Sequence, residues 1–100
     1  MIVIAGTIIV SDETRVEVVA CLAEMRKATL EHDAGVVAYR FAADLANPNL
    51  IHVYEEWEST ALLKDHMQKP HMDAFRDLRN RLDIQTEGFS RWRAEELGQF

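Results

Sequence analysis

The period of the hydrophobic positions changes repeatedly along the chain, and each change marks an element. Residues 2–10, Ile-Val-Ile-Ala-Gly-Thr-Ile-Ile-Val, are β-branched and mostly apolar. So short a run of Ile and Val predicts a buried strand. Ser11 and Asp12 then offer N-cap oxygens, with Glu13 in the first turn. Over about 12–33, Val18, Leu22, Met25 and Thr29 recur at helical spacing, and Val19 widens the stripe. Gly35 suits the C-terminal cap of that helix. Residues 36–43 predict a second strand, with Val37, Tyr39 and Phe41 on one face. Asn47-Pro48-Asn49 marks a turn. In the third strand, 50–57, Ile51, Val53, Glu55 and Trp57 point one way, and Leu50, His52, Tyr54 and Glu56 the other. Ser59 caps a helix carrying Ala61, Leu62, Leu63, His66 and Met67. Pro70 interrupts it, and a second piece restarts with Met72, Phe75, Leu78 and Leu82 on one stripe. A last strand over about 84–94 has the weakest alternation of the four, and a charged tail follows.

The order β-α-β-β-α-β predicts an α+β, ferredoxin-like, split β-α-β antiparallel sheet. Helices cover one face of such a sheet. The first and second strands, however, read as apolar on both faces, for example Val3, Ala5 and Ile9 opposite Ile2, Ile4 and Ile8. An open face of that character implies a partner surface, and a twofold homodimer packed sheet to sheet is the simplest one.

Composition narrows the picture. One hundred residues, 48% hydrophobic and 28% charged, make a single globular domain, 1–100. The formal charge of −6 is shared evenly by the two halves, which excludes a basic footprint for nucleic acid. No apolar run approaches the roughly 18 residues of a membrane span, and residues 1–10 lack the basic flank of a signal peptide, so a cytoplasmic location is expected. One cysteine, Cys21, excludes an internal disulfide, and mid-helix among apolar neighbours it reads as an inert thiol. The four glycines are too far apart to form a dinucleotide fingerprint. His32, His52, His66 and His71 show no metal-ligand spacing, so no metal is expected.

The remaining chemistry lies between the third strand and the broken helix. Glu55-x-Trp57, then Ser59, Ala61 and Leu62, then His66 and Pro70-His71 together resemble the antibiotic biosynthesis monooxygenase family. The pattern Glu-x-Trp-Glu-Ser followed by His-x-x-x-Pro-His-Met is most similar to its quinol monooxygenase branch. The resemblance implies a dimeric α+β barrel and oxidation of a small aromatic quinol or polyphenol by O₂ without metal, flavin or other cofactor. Such a substrate supplies its own electrons once deprotonated. The protein then has to bind the ring, accept a proton and stabilise an anion.

His66, with an ordinary pKa near neutrality, is the expected base or hydrogen-bond partner, or else a semi-buried residue bridging helix and sheet. Trp57 either stacks on the substrate or fills the core. Glu55 needs a partner if buried, which Arg91 or Arg93 would supply; either arginine would otherwise hold an anionic substrate. Tyr39 and Phe41 line the same cavity or pack the core. His71 falls near the surface, and Arg76, Arg79 and Arg81 read as a solvated face that could also touch an acidic substrate, with nothing in the sequence to single them out. Two alternatives stand beside the oxygenase. One is a non-catalytic dimer that binds a small molecule or serves a stress response. The other is a haem-binding or haem-degrading protein, disfavoured because the first strand has no Asn, Gln or His and residues 75–79 no His.

Overall fold

A computed structural model describes residues 1–100. Strand β1 (Ile2–Ile9) leads into helix α1 (Arg15–His32), then strands β2 (Val36–Ala43) and β3 (Leu50–Trp57). Helix α2 (Thr60–Met67), a 3₁₀ turn (Pro70–Met72), helix α3 (Asp73–Leu82) and strand β4 (Gln85–Arg93) complete the chain. The sheet is antiparallel throughout, in the order β2-β3-β1-β4, as expected of a ferredoxin-like split β-α-β unit. No helix is long and apolar enough to cross a membrane.

The core lies between the sheet and the helices. Val18, Leu22, Met25 and Thr29 are all buried on α1, and Ile51, Val53, Glu55 and Trp57 on β3. Ser59 caps α2 as expected, its hydroxyl accepting the Leu62 N–H at 3.2 Å. The Asn47 turn is closed by side chains: Asp44 accepts the N–H groups of Ala46 and Asn47, and Asn47 accepts that of Asn49. Pro70, which has no N–H to lose, starts the 3₁₀ turn rather than extending α2.

Several local expectations are corrected. Helix α1 begins at Arg15, because Ser11 and Thr14 close a turn reciprocally through each other's N–H and hydroxyl. Val19 is 41% exposed and stands outside the buried stripe. Val37 does not share the face of Tyr39 and Phe41. Val36 pairs with Trp57 and Ala38 with Glu56, so Val37 is the extra residue of a β-bulge and is 53% exposed. Gly35 is no left-handed cap; Asp33 ends α1 in an extended conformation. Glycine is needed at 35 because a Cβ there would collide with the side chain of Leu62.

Strand β4 lies at the sheet edge beyond the helices, and every one of its residues is exposed. That accounts for its weak alternation, since neither face of β4 is buried within one chain. On the side of the sheet away from the helices, Val3, Ala5 and Ile9 are half-buried beside Tyr54 and a 51% exposed Trp92.

Candidate active site

A cavity of about 360 Å³ opens between the sheet and α3. Ile4, Ile8, Val53, Phe41, Tyr39 and Glu55 form its floor; Met25, Met67, Met72, Phe75, Arg76 and Arg79 form its walls and roof; Thr86 and Phe89 come from β4. The Phe89 ring lies directly over Gly6, where a Cβ would displace it. The volume falls at the lower end of the range of small-molecule sites, which is about 300–1,000 Å³.

His66 reaches this cavity from α2. It follows Leu63 by one helical turn and both face the sheet, so the imidazole is only 1% exposed. Its ring lies 4.4 Å from that of Trp57 and meets Tyr39 edge-on at 5.4 Å. The Nδ1 position lies 2.6 Å from Asp33 Oδ2. His71 Nε2 reaches the same oxygen at 2.8 Å from the 3₁₀ turn. One carboxylate oxygen therefore accepts from two imidazoles. The other, Oδ1, is buried with no hydrogen-bond partner. Burial pushes the His66 pKa below its ordinary value, and His71 and Arg76 push the same way, while Asp33 opposes them. A neutral His66 whose Nδ1–H donates to Asp33 keeps its lone pair on Nε2.

Asp33, His66 and His71 are also the side chains with metal-ligating atoms grouped together, all within 4.8 Å of one another. The two short separations are hydrogen-bond distances. Ligands about 2.0–2.2 Å from a shared zinc ion would stand farther apart than this. As arranged, the cluster is a hydrogen-bonded one.

Glu55 has a partner, but neither Arg91 nor Arg93 supplies it. The Trp57 indole N–H donates to Glu55 Oε1 at 2.9 Å, two residues along the same strand face. Burial raises the Glu55 pKa and this hydrogen bond opposes the rise. Burial also pushes the Tyr39 phenol well up, with the neighbouring Glu55 charge adding to it, so its O–H stays protonated through the neutral range.

Of the residues singled out from sequence, His66, Glu55, Tyr39 and Phe41 line one cavity. Trp57 is not among the lining residues; fully buried, it backs His66 from behind. Arg91 is not there either. It pairs with Ile4 from the edge strand and borders two other clefts, beside Leu63 and Met67. Asp33 was missed, and His71, Arg76 and Arg79, read from sequence as surface residues, belong to this site. Asp33 did carry a signal: a carboxylate at a helix C-terminus opposes the helix dipole, and such a placement calls for another reason.

Residues 1–78 match the family model described as antibiotic biosynthesis monooxygenase. Solved structures share the fold. A candidate antibiotic biosynthesis monooxygenase from Deinococcus radiodurans superimposes with a TM-score of 0.87 at 22% identity, covering 100% of this chain and 98% of the other. A conserved protein from Methanosarcina mazei gives 0.82 at 25% identity, over 94% and 92%. A candidate antibiotic biosynthesis monooxygenase from Nitrosomonas europaea gives 0.81 at 13% identity, over 98% and 100%. No curated protein matches the chain in sequence.

Proposed function

Because the chain belongs to the antibiotic biosynthesis monooxygenase family, we propose that it is a cofactor-independent monooxygenase oxidising a small aromatic quinol or polyphenol with O₂. The observation that carries this assignment is the buried His66–Asp33 pair at the wall of a largely apolar, aromatic cavity. His66 takes the phenolic proton of the substrate as general base. Asp33 orients the ring and stabilises the imidazolium that forms, and the protonated Tyr39 hydroxyl supports the developing anion.

The electron-rich anion then reduces O₂, which supplies the oxygen of a new carbon–oxygen bond. When a ring C–H is oxygenated, quinol and O₂ become hydroxyquinone and water. One oxygen atom stays on the ring and the O–O bond breaks. The four electrons come from the substrate, two from quinol to quinone and two from the C–H to C–OH step.

The working unit is a homodimer joined through the open sheet face of Val3, Ala5, Ile9 and Trp92, which is also where the uncovered β4 finds its packing.

An oxygen electrode tests the assignment with a panel of naphthohydroquinones, catechols and anthrones. The enzyme is expected to consume O₂ above the autoxidation background without added metal or flavin, and His66→Ala to lose on the order of 10²–10⁴ in rate. No uptake with any member of the panel would refute it.

A further inference from the structure

We infer that the ligand of this cavity is an aromatic molecule carrying an acidic group, a carboxylate or phosphate, held on the α3 side of the cavity by Arg79, with Arg76 beside it. The inference rests on the cavity being the substrate site and adds a second pole to it. Its polar groups fall into two sets. Glu55, Tyr39 and His66 are buried and stand on β3, β2 and α2. Arg76 and Arg79 come from α3, one helical turn apart on the same face, and both line the same space while remaining exposed at its rim.

The two guanidiniums are differently prepared. Arg76 is fixed: its Nη1 bonds Asp73 at 2.9 Å and its Nη2 the carbonyl of Met67. The Arg79 guanidinium has neither an ion pair nor a hydrogen bond within the chain, whereas that of its neighbour Arg81 is paired with Glu17. A free guanidinium at the rim of an apolar cavity presents a planar fork suited to a carboxylate or phosphate. The rings of Phe41, Phe75 and Phe89 lie among the apolar lining and accommodate a flat aromatic body. The buried Glu55 would repel a second anion placed beside it, so the acid end of the ligand is directed to α3 and the neutral phenolic end to His66. A neutral quinol would leave Arg79 unused.

The test is equilibrium binding, which needs no turnover. The matched probes are 2-naphthol and 6-hydroxy-2-naphthoic acid, which differ by one carboxylate at the far end. The wild type is expected to bind the acid about tenfold tighter or better, as a charge-assisted contact of this kind affords, and the preference should shrink with added salt. Arg79→Gln should remove most of it and keep its affinity for 2-naphthol; Arg79→Lys should retain part. An Arg76→Gln/Arg79→Gln double variant should bind the two alike. Naphthyl phosphate compared with naphthol, run in parallel, identifies which acid is preferred. Equal affinity for the neutral and acidic probes, binding of neither, or a preference that survives the double variant overturns the inference. His66→Ala should keep the preference, so failure of the oxygenase assignment and failure of this one are separately visible.

Discussion

Asp33 holds two imidazoles with a single oxygen while its second oxygen stays buried and unpartnered. In the proposed mechanism its role is to position His66, and two variants separate that role from packing. Asp33→Ala strips both histidines of their acceptor and should lower stability by roughly 1–3 kcal/mol in a urea titration. Asp33→Asn keeps the shape but removes the charge that works against the other influences on His66. His66 then becomes a weaker base, so the rate should fall and the acid limb of kcat/KM should move to lower pH. A limb that stays in place would show Asp33 to be structural only. In the wild type that limb should lie below about 6.5, since the fold lowers the His66 pKa from its ordinary value. The same shift makes stability pH-dependent. The unfolded chain protonates His66 more readily than the folded one, so this contribution is present above about pH 6.5 and is lost as pH falls. Urea midpoints at about pH 5 and pH 7.5 should therefore differ less in His66→Gln than in the wild type. His66 was visible in the sequence because its spacing from Leu63 and the surrounding motif both pointed inward. Asp33 was not, because its partners lie 33 and 38 residues away and only the fold joins them.

At the scale of elements, the close approach of the β2 entry to α2 is set by Gly35. Gly35→Ala would push a methyl group into Leu62 and force the two apart, an overpacking cost of roughly 1–3 kcal/mol. Differential scanning calorimetry should show a clear fall in Tm, and an unchanged Tm would contradict this packing. Most elements were legible from pattern alone. The α1 stripe, the alternation of β3, the Ser59 cap and the Pro70 break each act locally, through sequence neighbours. What escaped was non-local. The bulge at Val37 leaves no mark in a run of β-branched and aromatic residues, and it turns Val36 rather than Val37 toward the helices. Gly35 looked like a helix cap because glycine serves both turns and close contacts, and the contact here is with a helix whose packing no local pattern displays. Arg76 and Arg79 looked solvated because their charge gave no hint that α3 roofs a cavity.

At the scale of the molecule, one chain leaves β4 bare and an apolar sheet face open. Sedimentation equilibrium at micromolar concentration should give two chain masses, and Val3→Glu combined with Trp92→Glu, cross-strand neighbours on that face, should give one. A wild type that sediments as a single chain would contradict the packing. The apolar character of both faces of β1 was readable from the sequence; the emptiness around β4 was not, because a weakly alternating strand gives no sign of whether helices lie over it. The central claim, that the cavity oxygenates a phenolic ring with His66 as base, is tested most directly by mass spectrometry of the product formed from a naphthohydroquinone under ¹⁸O₂. The account predicts one ¹⁸O atom in the product ring per O₂ consumed, at a rate that collapses in His66→Ala. A product without label, or one formed equally fast by His66→Ala, would contradict it.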